Sequence, residues 1–210
     1  MRSSLCVTTL SLLLFVAACH NPASDTSKAV TAEPGRQASP QTAAGQKYLI
    51  TPQNSKVEFT ASKVTGSHNG SFQKLNGEID YVNNDPAKSR VSITIDVSSV
   101  ETDTARLTNH LKTPDFFDVA KFPQAQFVST EIKPGGDRGA SHTVTGNLTL
   151  HGVTKSVTFP ATITVSPDTA TVDSNFAINR KDFGINFAGA ADDLIRDEVV
   201  MKLTIRGTKG

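Results

Sequence analysis

The chain has 210 residues, with 21 Lys and Arg against 20 Asp and Glu and a formal net charge of +1 at pH 7. So even a balance supplies no field to gather nucleic acid, whose binding rests on many phosphate contacts. Both cysteines, Cys6 and Cys19, fall within the first nineteen residues, so the remainder can build neither a disulfide nor a cysteine metal site.

Residues 1–18 carry one cation at Arg2, an apolar run from Leu10 to Val16 and the small pair Ala17-Ala18, the layout of a secretory signal. The run is shorter than the roughly 20 apolar residues of a permanent span. Val16-Ala17-Ala18-Cys19 resembles a bacterial lipobox. That resemblance implies that Cys19 is lipidated and becomes the mature N-terminus. With His20 rather than Asp after the cysteine, the sorting rule of enteric lipoproteins points to the outer membrane. The alternative is ordinary cleavage near Ala18 and a soluble periplasmic protein. Residues 19–46 are rich in Ala, Ser, Thr, Pro and Gln and contain no aromatic residue before position 47. Such a composition cannot offset its ordering entropy by apolar burial, which predicts a flexible tether. Residues 47–210 are long enough for one domain with a real core.

Within that domain, residues 57–64 alternate Val57, Phe59 and Ala61 against Glu58, Thr60 and Ser62, the pattern of a strand with one buried face. Residues 91–97, 144–150, 157–165 and 199–205 repeat it, and 71–82, 125–132 and 170–178 repeat it more weakly. Turn chemistry separates them, at Asn83-Asn84-Asp85-Pro86, Pro134-Gly135-Gly136-Asp137, His151-Gly152 and Ser166-Pro167-Asp168. Residues 102–112 alone read as helix, with Leu107 and Leu111 four apart and Thr102, Asp103 or Thr104 as N-cap. Eight antiparallel strands joined by hairpin-length turns must stack as a sandwich or close into a barrel. The absence of Trp and of a cysteine pair removes the immunoglobulin signature, and a closed barrel is preferred.

No G-x-S-x-G pentapeptide is present, and His68, His110, His142 and His151 are too far apart in sequence for a local zinc clip. No metal or cofactor is therefore expected. Asp192, Asp193, Asp197 and Glu198 read as a solvated acidic loop, His151 as a solvated turn residue and Arg180 as a brace pairing Asp182.

Several motifs recur in a recognisable order: Ser55 to Phe59, Gly70-Ser71-Phe72 with Leu75 and Gly77, Val97 to Thr102, His110-Leu111-Lys112 with Asp115 to Asp118, Phe122-Pro123, Phe127 to Thr130, Val144 to Lys155, and Asn179-Arg180 with Asp182-Phe183-Gly184. Together they make residues 48–208 resemble the YceI family of periplasmic, lipocalin-like polyisoprenoid-binding proteins. The resemblance implies an all-β domain, an eight-stranded antiparallel lipocalin-like barrel with a short helix near one end. It further implies a long-chain isoprenoid or fatty lipid as the bound partner, and no catalysis. Two other functions remain open: an enzyme acting on a lipid head group through His110, Asp115, Arg180 and Asp182, or a lipid-free envelope module. The expected ligand wall comprises Phe59, Phe72, Ile93, Ile95, Leu107, Leu111, Phe116, Phe117, Phe127, Leu148, Leu150, Phe159, Ile163, Phe176, Ile178, Phe183, Met201 and Leu203. Pro114 and Pro123 exclude a continuous helix or central strand through residues 110–127. That segment is expected to be an irregular lid, with Phe116 or Phe117 sealing the cavity and Phe122 and Phe127 anchoring it; the alternative is that all four rings are ordinary core.

Overall fold

The computed structural model describes residues 21–36 and 45–210; the expected signal sequence and Cys19 lie outside the described residues. In chain order the elements are β1 (Ser27–Lys28), β2 (Val30–Ala32), β3 (Gln46–Ile50), β4 (Lys56–Ser62), β5 (Ser67–Phe72), β6 (Leu75–Tyr81), β7 (Arg90–Asp96), β8 (Val100–Thr102), α1 (Ala105–Leu111), β9 (Gln124–Pro134), β10 (His142–Leu150), β11 (Val153–Val165), β12 (Thr169–Asn179), β13 (Gly189–Ala190), β14 (Asp193–Leu194) and β15 (Glu198–Lys209). Hydrogen-bonded neighbours run β12, β11, β10, β9, β7, β6, β3 and β15, and β15 pairs again with β12. The sheet thus closes as an eight-stranded antiparallel barrel, with β11 and β12 paired directly only at Thr162–Val165 against Ala170–Asp173.

Three wall strands are each bent once, so that β3 and β4, β5 and β6, and β7 and β8 are halves of one strand. Each bend has a local cause. Between β3 and β4 the buried Ser55 hydroxyl both accepts from the Arg206 amide at 2.9 Å and donates to its carbonyl at 3.2 Å, replacing a ladder pair. Between β5 and β6 the Lys74 amide donates to the Ser99 hydroxyl at 2.9 Å. Between β7 and β8 a 3-10 turn is capped by Asp96, whose carboxylate accepts from the Ser98 amide at 3.0 Å. The strand expected over 71–82 is accordingly two segments. The expected helix is present as α1, and of its three candidate caps Thr104 serves, accepting from the Leu107 amide at 3.3 Å.

Close backbone approach is met by glycine at two inward positions. A Cβ on Gly70 or on Gly146 would lie 2.3 Å from the ring of Phe59 or Phe127, respectively, so these residues let aromatic rings lie flat on the wall. The two-residue turn joining β10 to β11 has φ of 51° at His151 and 75° at Gly152, the twist-matched geometry of tight hairpins.

Residues 21–36 depart from the expected flexible tether. Ser27 and Lys28 pair in parallel with Phe176 and Ala177 of β12, and Val30 to Ala32 pair antiparallel with Ser156 to Thr158 of β11. Ala23 is fully buried against Ala177 and Val200. The composition argument weighed only apolar burial, whereas this strap is held by main-chain pairing and by polar contacts. Among the latter, the Thr31 hydroxyl donates to Asp182 at 2.6 Å, Lys155 meets Glu33 at 2.6 Å and Lys28 meets Glu198.

Candidate functional site

Alternation along the wall strands turns their large apolar side chains inward. Seventeen of them enclose a cavity of about 110 Å³ to which no polar side chain contributes. Six of the inward chains, Ile95, Phe127, Leu148, Ile163, Met201 and Leu203, remain only half-buried although they point into the barrel. They face open space, in contrast to the fully buried Ile205 and Val157 beside them. A void of that size exceeds what one water fills, and its wall offers water no hydrogen bond.

Ten expected wall residues line the cavity: Ile93, Ile95, Phe127, Leu148, Phe159, Ile163, Phe176, Ile178, Met201 and Leu203. Eight do not. Phe59 and Phe72 pack ring to ring at 5.8 Å, and Phe72 meets Phe117 at 5.8 Å. Phe116 is buried against Phe187 at 5.2 Å and against the edge of the His110 ring at 5.0 Å. Leu107, Leu111 and Leu150 pack against the core elsewhere, and Phe183 is wholly buried in a 3-10 turn after β12. The bends explain part of the split, because beyond Val57 the strands β4, β5 and β8 leave the wall of β6 and β7, and their aromatic residues gather at one end of the barrel. Residues missed in sequence, Val57, Val91, Ile132, Val144, Val157, Val172 and Ile205, share faces with chosen ones. The alternation marks the shared face, but not which of its residues meet the cavity.

The irregular segment of residues 112–123 is a series of turns, as the prolines require, and its rings divide between one end of the barrel and the outside. Phe116 and Phe117 belong to the aromatic end cluster and neither lines the cavity. Phe122 packs edge-on against His151 at 4.8 Å on the outside of the β10–β11 turn, and Phe127 is part of the wall.

The polar residues considered for chemistry are each committed to separate partners. His110 Nε2 donates to Asp115 at 2.8 Å, while Asp182 accepts from Thr31. Arg180 is buried and is a brace, but not of Asp182. Its guanidinium donates to the carbonyls of Ile185 at 2.7 Å, Arg196 at 3.1 Å and Ile195 at 3.3 Å, and it meets Asp197 at 3.4 Å. Burial depresses its pKa, with Asp197 opposing the shift. Among the described residues no hydrogen bond or ion pair joins His110 and Asp115 to Arg180 or Asp182. His151 is tied rather than free: its Nδ1 donates to the Phe183 carbonyl at 3.2 Å, which requires the proton on Nδ1. Among the described residues no group of three or more His, Cys, Asp or Glu is placed to hold a metal ion.

The acidic loop is likewise paired. Asp193 accepts from the Lys63 ammonium and from the Thr65 amide and hydroxyl, at 3.2 and 2.9 Å for the last two. The lysine contact, the largest cause, holds its carboxyl below the ordinary aspartate value. A carboxyl depressed on folding contributes stability that is complete above its unfolded value of about 3.9 and is lost as pH falls through the folded value. An NMR titration should therefore show the Asp193 carboxyl and the Thr65 amide moving together with a midpoint below about 3.9. A midpoint at or above that value would remove the lysine contact from the account.

Comparison with known proteins agrees with the architecture. A model of the YceI-like domain matches residues 48–207. A UPF0312 protein of Pseudomonas putida is 34% identical over 146 residues, covering 67% of this chain and 73% of its own length. Among solved structures, Burkholderia cenocepacia BcnA superposes with a TM-score of 0.67 at 28% identity, over 76% of this chain and 99% of its own. A polyisoprenoid binding domain from Saccharophagus degradans superposes with a TM-score of 0.61 at 18% identity, over 79% and 99%.

Proposed function

Because this chain belongs to the YceI-like family, we propose that its barrel binds the hydrocarbon chain of a long, polyisoprenoid-like lipid and sequesters or carries it in the bacterial envelope. The observation that carries this reading is the closed barrel around a cavity lined by apolar side chains alone. Such a site recognises its ligand by removing it from water, at about 0.8 kcal/mol for each buried methylene. It needs no donor, acceptor or catalytic group inside. The polyisoprenoid binding domain of Saccharophagus degradans, which shares the fold, supports the choice of ligand class.

The cavity of about 110 Å³ is smaller than the roughly 300 Å³ at which sites for drug-sized ligands begin. Phe127, Phe159 and Phe176 account for the difference. Phe159 and Phe176 are stacked at 4.3 Å, and Phe127 tilts against Phe159 at 5.7 Å. A long chain takes the space these rings give up when they swing toward the wall. The test is to purify the protein under native conditions, extract it with organic solvent and identify the extract by mass spectrometry. One long-chain lipid per protein, chemically unaltered, is expected. A modified lipid would convert the reading into catalysis, and a lipid-free barrel that binds no added isoprenol would end it.

The proposed location is the periplasm, with Cys19 lipidated and the protein held to the outer membrane. Several acyl chains anchor firmly where one alone is marginal. Cys19→Ser should release the protein into the soluble fraction, and retention of this variant after a high-salt wash would rule the anchor out.

A further inference from the structure

Between β11 and β12 the barrel wall is not continuous. The two strands pair directly only from Thr162 to Val165 against Ala170 to Asp173. Beyond that, ladder pairing stops at Pro160, which has no amide to donate. Its carbonyl is taken instead by the Ser174 hydroxyl at 2.5 Å. From there the strands part, and the strap described above lies in the seam, with β1 on β12 and β2 on β11. The Ala29 amide, between the two strap strands, donates to the Ala177 carbonyl at 2.8 Å. On the inside of the same seam lie Val157 and Phe159 from one strand and Phe176 and Ile178 from the other, all four lining the cavity.

The strap buries little apolar surface. Its more buried positions are Ser27, Ala29 and Thr31, while Lys28, Val30 and Ala32 are exposed, so it buries methyl-sized groups where true wall strands bury Val, Ile and Phe. Elements with little buried apolar surface open locally at a small fraction of the free energy of global unfolding. Outside residues 27–32 the strap is held by Ala23, buried against Ala177 and Val200, and by Gly35, bonded to Asn147; within and next to them its ties are polar: Ser27 to Asp137, Thr31 to Asp182, Lys28 to Glu198 and Glu33 to Lys155.

We propose that residues 27–32 are a removable stave of the barrel: their release opens the seam between β11 and β12 and is the route by which a lipid chain enters and leaves the cavity sideways. This rests on the lipid-binding reading above. When the stave lifts, the side chains of Val157, Phe159, Phe176 and Ile178 separate the cavity from the outside, and the ring movement of the stacked Phe159 and Phe176 that enlarges the cavity also clears the seam. The aromatic cluster of Phe59, Phe72 and Phe117 packs at one end of the barrel, which obstructs entry from that end.

Val30 and Thr158 are directly opposed in register, Val30 being exposed on the outer face, so a disulfide between cysteines at these sites fastens the stave without touching the cavity. The experiment uses the full chain with Cys6→Ser and Cys19→Ser as reference, and the same chain with Val30→Cys and Thr158→Cys. Uptake of dansyl-tagged farnesol is followed by stopped-flow fluorescence, and amide exchange is measured at residues 156–158 and 176–177. The proposal expects the oxidised variant to take up the probe at least about tenfold more slowly than its reduced form, with the reduced form matching the reference. In the reference those amides should exchange far faster than the amides of 162–165. Equal uptake rates with the disulfide formed would overturn the lateral route while leaving lipid binding intact. Reference amides at 156–158 as protected as those of 162–165 would also overturn it, by showing that the stave does not lift. Absence of probe uptake by the reference chain would fell the lipid reading itself, and the lateral route with it.

Discussion

Replacing Arg180 by leucine should lower the unfolding free energy by about 3–5 kcal/mol, the range for breaking a buried charged network from one side. The guanidinium is 5% exposed and holds three carbonyls, those of Ile185, Ile195 and Arg196. These belong to two arms of the loop between β12 and β15, so one planar fork fastens both arms to the end of β12. Leucine fills part of the volume but leaves the three acceptors unpaired, each costing about 1–3 kcal/mol when buried. Arg180→Lys should rescue little, because a single ammonium cannot reproduce donors fixed in a fork. Asp197→Asn should be nearly neutral, since Asp197 is 42% exposed in its side chain and meets Arg180 at 3.4 Å. Urea unfolding with an unchanged slope is the measurement. A leucine variant within about 1 kcal/mol of the parent, where ordinary surface substitutions fall, would show that the loop is fastened by other means.

Leu148→Arg should be at least as damaging, and it tests the cavity directly. Leu148 stands on β10 opposite Phe127 on one side and Lys155 on the other, and it points into a space lined by apolar side chains alone. An arginine there has room but no partner. Burying an unpaired cation costs several kcal/mol even after relaxation and water entry, so either the barrel unfolds or water follows the charge inside and displaces the lipid. Leu148→Met, close in volume, should stay within about 1.5 kcal/mol and keep the lipid. A stable Leu148→Arg protein that still yields one lipid per chain on extraction would place the lipid somewhere other than the cavity.

The barrel was legible from sequence because its signals are local. Period-two runs such as Val91, Ile93 and Ile95 mark a face, and His151-Gly152 marks a hairpin without reference to anything distant. The family motifs then agreed with a strand count already at eight. What could not be read is what depends on bends. Phe59 and Ile93 carry the same signal, yet β4 and β7 lie on opposite sides of the interruptions at Ser55 and Ser99, so one ring enters an end cluster and the other side chain meets the cavity. The partners of Arg180 were hidden for a similar reason, since three of the four are backbone carbonyls, which have no sequence signature. The strap was missed because Ser27, Ala29 and Thr31 look like linker composition. Its place depends on Pro160, more than a hundred residues away.

The burial of Ala23 sets how far this barrel can stand from a membrane. Three residues separate Ala23 from Cys19, four steps along the chain and a contour of no more than about 14 Å, where an unattached stretch as far as residue 46 would have allowed several times that reach. With the acyl chains proposed on Cys19, the barrel would be moored short, with β12 and β15 toward the bilayer rather than on a long stalk. Ala177 touches Ala23 and borders the seam, so the mooring point and the seam share one side of the molecule. A hydrocarbon tail leaving the bilayer beneath it would have only a thin layer of head groups to cross.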